Sequence, residues 1–104
     1  MLPYYSSIGD FDKAIEYGEK AYNGRLKMLG EKDKYVLTSL GNLASYNNSK
    51  GNFKKAIELC TKAYENTCDI LGENHPDSLL LLSNMATYYK RQIHGDLEQR
   101  ILTV

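Results

Sequence analysis

The chain has 104 residues, of which 42% are apolar and 25% charged, and its 13 basic and 13 acidic side chains give a formal net charge of zero. This length supports one globular domain with its own core and argues against a two-domain enzyme. Because there is no excess of Lys and Arg to displace counterions, neither nucleic acid nor an anionic membrane surface is expected as a main partner.

Targeting and membrane signals are weak throughout the sequence. The longest apolar run, Leu79 to Leu82, is far shorter than the roughly 20 residues that cross a bilayer. The first residues lack the basic and then apolar pattern of a signal peptide. We therefore expect a cytoplasmic protein, or a piece of one.

An internal repeat organises the chain. The segment GDFDKAIE at residues 9–16 recurs as GNFKKAIE at residues 51–58, an offset of 42 residues. Further matches at the same offset join residues 20–22 with 62–64 and residues 29–31 with 71–73. A weaker copy begins at Gly95 with an offset of 44 residues. The pattern predicts a partial repeat at 1–30, a full repeat at 31–72 and a degenerate repeat at 73–104.

Each repeat is predicted to contain two helices, called helix A and helix B in chain order. In the first repeat, helix A is reduced to Leu2–Ser7, barely one turn. Helix B follows, because its apolar and small residues recur at helical spacing. This stripe is expected to lack its usual cover; it comprises Phe11, Ala14, Ile15, Gly18, Ala21, Tyr22 and Leu29.

In the second repeat, Asp33 is predicted to cap helix A and Gly51 to end it. The apolar face of this helix comprises Leu37, Leu40, Leu43 and Ala44. Helix B again carries an apolar stripe, formed by Phe53, Ala56, Ile57, Cys60, Ala63, Tyr64 and Leu71. Gly30 and Gly72 are predicted to end the two B helices in a left-handed conformation.

In the third repeat, Pro76 suits the first position of helix A and Asp77 its positively polarised first turn. Gly95 is predicted to end this helix and to begin a third helix B. In that helix Arg100 stands where the other copies have Ala14 and Ala56. The predicted apolar face of the third helix A comprises Leu79, Leu82, Met85, Ala86 and Tyr89.

The residues with reactive side chains do not form a recognisable catalytic or metal site. Cys60 and Cys68 are eight residues apart in one predicted helix, about 12 Å along its axis and too far for a disulfide. We interpret both as buried free thiols and His75 as a helix-capping or loop residue, since His94 is 19 residues away. Neither an enzyme nor a cofactor is expected.

Small residues at Ala44, Ala56 and Ala63, with Phe53 beside them, resemble the signature of the tetratricopeptide repeat. The period of 42 residues and the string LGENHPD at 71–77 are similar to the longer repeats of kinesin light chains, as are the segments 42–44 and 84–86. The resemblance covers residues 4 to about 103. It implies an all-α fold of about five antiparallel helices, stacked as a short right-handed superhelix.

The resemblance also implies a function, because the A helices of such proteins line a concave groove that holds a peptide. It further implies that Asn42 and Asn84 clamp the backbone of the ligand, while Lys90 and Arg91 would favour an acidic group. The alternative is a plain polar helix face, or hydrogen bonds within a repeat. Carried over by position, the groove residues are Thr38, Asn42, Ser45, Asn48, Ser49, Ser83, Asn84, Thr87, Lys90 and Arg91.

Two functions therefore remain open. The first is a non-catalytic adaptor that binds a protein or peptide in the groove. The second is a structural unit that forms a homodimer through its incomplete terminal repeats, for example by exchanging a helix. The residues predicted for self-association are Phe11, Ile15, Tyr22, Leu97 and Ile101.

Overall fold

A computed structural model describes residues 10–102. These residues form four α-helices, and no strand occurs among them: α1 (Phe11–Leu29), α2 (Lys34–Lys50), α3 (Phe53–Leu71) and α4 (Pro76–Leu102). Each helix packs on the next one along the chain, through short turns at 30–33, 51–52 and 72–75. The all-helical prediction is confirmed, while the predicted short helix at Leu2–Ser7 lies outside the described residues.

The predicted caps of the later helices are confirmed. The Asp33 carboxylate accepts a hydrogen bond of 2.8 Å from the backbone N–H of Tyr35 at the start of α2. Pro76 opens α4, and the His75 side chain before it accepts from the backbone N–H of Asp77 at 3.1 Å. His75 is thus a helix-capping residue, which was one of the two interpretations of it.

The turns after the helices depend on glycine. Gly30 and Gly72 follow α1 and α3 with φ of 87° and 91°, which confirms the predicted positive φ. Their ψ values of 161° and 157° lie outside the left-handed helical region. Gly51, with φ 96° and ψ 6°, does adopt that region. Side chains with a Cβ are strained at these φ values, so the chain reverses direction where glycine occurs.

The core lies where α2 crosses α3. Ala44, Ala56 and Ala63 have no exposed surface, and they bring the two helices close together. Cys60 packs in the same cluster, which Tyr88 of α4 completes. The predicted faces of α2 and α3 are therefore confirmed in their central turns. In contrast, Leu29 and Leu71 are exposed; they are the last residues of the apolar stripes predicted for the two B helices, which are α1 and α3 in the structure.

Among the described helices, α1 packs on α2, and none of its residues is fully buried. Its closest approach to α2 is at Gly18, where an added Cβ would lie 3.2 Å from Leu43 and 3.3 Å from Tyr46. The guanidinium of Arg25 donates to the buried Ser39 hydroxyl at 2.6 Å. The incomplete cover predicted for this helix depends on Leu2–Ser7, which lie outside the described residues, and it stays a prediction.

The apolar face that the sequence predicts for α4 is wrong, because the residues that the structure buries lie about one position earlier in the chain. The structure buries Ser78 and Tyr88 and leaves Leu79, Leu82 and Tyr89 at 48%, 45% and 51% exposure. Helix α4 packs chiefly on α3, and it reaches the core cluster through Leu81, Met85 and Tyr88. Of the other predicted members, Met85 is half-buried and Ala86 is exposed.

The prediction that Gly95 ends a helix is also wrong, because α4 continues through it to Leu102. Positive φ occurs among the described residues only at Gly30, Gly51 and Gly72. All residues from 96 to 102 are exposed. Glycine within a helix costs roughly 1 kcal/mol. This cost alone does not break α4, because a reversal of the chain at Gly95 would gain no packed surface in return. The described residues therefore form four helices, and the further helix predicted at Leu2–Ser7 lies outside them.

The two glycines inside α1 provide a matched test of its contact with α2. Gly24 has no atom within 4 Å of an added Cβ, so we expect Gly24→Ala to raise the free energy of unfolding by about 0.5–1 kcal/mol. Gly18→Ala gains the same helix propensity but crowds Leu43 and Tyr46, so its net effect is smaller or negative. Urea unfolding measures both, and equal stabilisation would contradict the packing of α1.

Candidate functional site

A groove of about 590 Å³ runs between α2 and α4 and is closed at one end by the last turn of α3. It lies beside the two A-type helices, as the sequence predicted for a binding surface. Its lining combines a large apolar area with a few polar and charged side chains. The lining residues are Lys32, Lys34, Leu37, Thr38, Gly41, Asn42, Ser45, Thr67, Ile70, Leu71, His75, Asp77, Leu80, Leu81 and Asn84.

The apolar part of the groove is exposed to water. Ile70 and Leu71 of α3 and Leu80 of α4 line it and each retain about half or more of their surface. Gly41 lies across from Leu81, and an added Cβ there would be 3.8 Å from the Leu81 side chain. A concave apolar surface with a few polar groups is the usual form of a ligand site.

Four of the predicted groove residues line this site: Thr38, Asn42, Ser45 and Asn84. The Thr38 hydroxyl donates to the backbone carbonyl of Lys34 at 3.0 Å, as in an ordinary helix. The side-chain amides of Asn42 and Asn84, in contrast, make no hydrogen bond to any residue of the described range. Hydrogen bonding within a repeat therefore does not account for these two residues.

The other predicted groove residues do not line the site. Arg91 places its guanidinium over the ring of Phe53, 5.3 Å from the ring centre, at the start of α3. The Thr87 hydroxyl donates to the backbone carbonyl of Ser83 at 3.3 Å, and both residues are exposed. Asn48 has a buried Oδ1 without a hydrogen-bond partner among the described residues. Ser49 and Lys90 are exposed outside the groove.

Sequence reasoning missed the charged end of the groove. Lys32, Lys34, His75 and Asp77 line it, all from the turns and first residues of α2 and α4. The ammonium group of Lys32 is already paired with the Asp69 carboxylate at 3.1 Å. Lys34 forms no ion pair with a described residue. The position of these residues beside the helix starts was the available signal, since both A-type helices begin at this end.

Ser45 also serves the core beneath the groove. Burial raises the pKa of Tyr88, and a hydrogen bond with Ser45 partly offsets this effect. The neighbouring Cys60 thiol donates to the backbone carbonyl of Leu81 at 3.3 Å. The polar groups under the groove floor therefore have partners, and the floor is a fixed surface.

The residues predicted for self-association lie on different helices. Phe11, Ile15 and Tyr22 are half-buried on α1. Leu97 and Ile101 are exposed on the last turns of α4. The described fold does not bring these two sets together.

Comparison with known proteins gives one finding. The model of a family described as "tetratricopeptide repeat" matches residues 35–99, well over half of the chain. The match spans α2, α3 and most of α4, the helices that form the core and the groove. No curated protein matches the sequence.

Two further searches of the described residues were negative. None of their helices is long and apolar enough to cross a membrane. In the same range, no three or more His, Cys, Asp and Glu side chains are grouped so that they could hold a metal ion.

The two thiols are expected to differ in reactivity. Burial raises the pKa of Cys60 from its ordinary value of 9.0 to about 11, because the thiolate would lose its hydration. At pH 8 this leaves about a hundredfold less thiolate than an ordinary thiol has. We expect a thiol reagent to modify the half-buried Cys68 first and Cys60 only on unfolding. Cys68→Ser identifies the fast phase, and rapid modification of that variant in its folded state would contradict the assignment.

Proposed function

The chain belongs to the tetratricopeptide repeat family, and we propose that it is a non-catalytic module that binds a segment of a partner protein in the groove between α2 and α4. Proteins of this family generally mediate protein–protein interactions. The observation that carries the proposal is the pair of unbonded amides, Asn42 and Asn84, in one apolar groove.

The amides suit the backbone of an extended ligand. A side-chain amide has both a donor and an acceptor group, and a peptide backbone presents both in alternation. Because Asn42 and Asn84 use neither group within the described fold, a ligand can bond to them without displacing an internal partner. A ligand with a regular secondary structure of its own would have fewer free backbone groups to offer.

The apolar wall suits one large side chain of the ligand. Ile70, Leu71 and Leu80 lose exposed surface when such a group covers them, and burial of apolar surface provides most of the affinity at interfaces of this kind. Lys34 at the charged end favours an acidic residue next to that anchor. Recognition of an acidic group by Lys90 and Arg91 stays a prediction, and Arg91 would have to leave Phe53 to achieve it.

We further propose that the repeats are of the kinesin-light-chain type and form a right-handed superhelix. The period of 42 residues and the LGENHPD string support this assignment. The same proposal keeps the boundaries at 1–30, 31–72 and 73–104, as well as a cytoplasmic location.

A second candidate function is self-assembly. The observation that favours it is the apolar stripe that α4 leaves exposed, at positions where the sequence predicted a buried face. This surface does not line the groove, so the two functions are compatible.

The groove is tested with a displayed library of random peptides. We expect selected peptides to lose at least about tenfold in affinity when Asn42→Ala and Asn84→Ala are combined, since each hydrogen bond contributes about 0.5–1.5 kcal/mol. Thr87→Ala is the matched control, because it removes an exposed polar side chain of α4 outside the groove. Two results would count against the groove as the binding site. One is a library that yields no binders, and the other is an affinity that the combined asparagine substitutions leave as unchanged as Thr87→Ala does.

Filling the groove tests the same proposal from the opposite direction. Gly41 lies on its floor, and a leucine there would occupy the space beside Leu81. We expect Gly41→Leu to abolish peptide binding while the circular dichroism of the helices is retained, because glycine is a poor helix former. Gly24→Leu adds the same side chain to α1, where no atom lies within 4 Å of the new Cβ. Binding that survives in Gly41→Leu would place the ligand elsewhere.

A further inference from the structure

We propose that two copies of this chain exchange the end of α4. In the dimer, residues 96–102 of each copy pack on an apolar stripe of the other copy. We name this stripe the seat, and it comprises Leu79, Leu82, Ala86 and Tyr89. The proposal develops the self-assembly candidate and does not depend on peptide binding in the groove.

The internal repeat indicates which kind of helix would pack on the seat. At the offset of 42 residues, its four positions correspond to positions of α2 that are almost completely buried. That equivalent face of α2 is covered by α3, since Ala44 clusters with Ala56 and Ile57. The exposures of the equivalents are 9%, 1%, 0% and 4% for Leu37, Leu40, Ala44 and Asn47. The seat is therefore the place for a B-type helix.

The chain contains a third segment with the sequence pattern of helix B, but in one copy this segment does not pack on such a face. By the offset of 44 residues, Leu97 corresponds to Phe53 and Ile101 to Ile57. In the second repeat Phe53 is half-buried, and Ile57 is buried in the cluster that includes Ala44 of the preceding helix. In the third copy, Leu97 and Ile101 are exposed, like all residues from 96 to 102. The seat and the segment that fits it are thus both uncovered in one copy.

The segment cannot reach the seat of its own copy. Between α2 and α3 the chain reverses at Gly51, which has φ 96°. Gly95 corresponds to Gly51 but lies inside the continuous helix α4. Ala86 and Ile101 of one copy are 15 residues apart on that helix, about 22 Å along its axis. A second copy in the opposite direction brings the same segment to the seat, and each copy fills the seat of the other.

Arg100 is compatible with this arrangement. Arg100 corresponds to Ala56, which is fully buried in the cluster that includes Ala44 and Tyr88. The exchanged segment is covered from one side only, so the aliphatic part of Arg100 can lie along the interface while its guanidinium reaches water. It would lie beside Ala86, the smallest residue of the seat. A two-fold contact of this kind closes on itself and yields a dimer, not a filament.

A disulfide trap tests the exchange directly. We expect the double variant Ala86→Cys with Ile101→Cys to form a covalent dimer under mild oxidation, seen on a non-reducing gel. The wild type and the two single variants are matched controls, because they retain Cys60 and Cys68 but lack the pair. A monomer with an internal disulfide would show that the segment folds back on its own copy, and would overturn the proposal. A double variant that forms no disulfide would do the same.

Light scattering over a dilution series provides the second readout. We expect a wild-type dimer that Leu82→Glu combined with Tyr89→Glu converts to a monomer, whereas Met28→Glu on α1 leaves it intact. Gly95→Ala should leave the dimer at least as stable, because α4 is already a continuous helix through Gly95 in one copy and alanine favours that helix. A monomeric wild type, a dimer that survives both glutamates, or a dimer weakened by Gly95→Ala would overturn the proposal. None of these results depends on peptide binding, so the groove is tested separately.

Discussion

The close approach of α2 and α3 at Ala44 and Ala56 is the constraint on which the rest of the structure depends. Neither residue has exposed surface, so the two helices meet with only methyl groups between them. Tyr88 of α4 belongs to the same cluster and thereby fixes α4 to both helices. Because α4 is fixed there, it stands beside α2 at the separation that opens the groove. A larger side chain at either alanine would therefore move the groove as well as the core.

Local signals in the sequence predicted the helices and most of their ends. Asp33 and Pro76 act through the first turn of their own helices, and Gly30, Gly51 and Gly72 act through their own φ. Such features require no knowledge of neighbouring helices. The internal repeat adds the packing of α2 on α3, since the same small residues recur in both copies.

The face of α4 and the fate of Gly95 could not be predicted in the same way. Helix α4 has two apolar stripes at helical spacing, one through Leu81 and Met85 and the other through Leu82 and Ala86. Spacing alone does not distinguish them, because the choice depends on which side α3 occupies. The candidate site shows the same limit. The repeat period brings Asn42 and Asn84 to one groove, whereas Arg91 is drawn to the ring of Phe53 by an interaction between distant residues.

The four consecutive leucines of α4 show how one helix serves three surfaces. Successive residues of a helix are about 100° apart, so neighbouring leucines must face different surroundings. Leu80 lines the groove, Leu81 packs against the core, and Leu82 belongs to the exposed seat. A ligand in the groove and a second copy on the seat would therefore contact opposite sides of the same buried stripe. Because the groove and the seat use different side chains of α4, the two would not compete for the same residues.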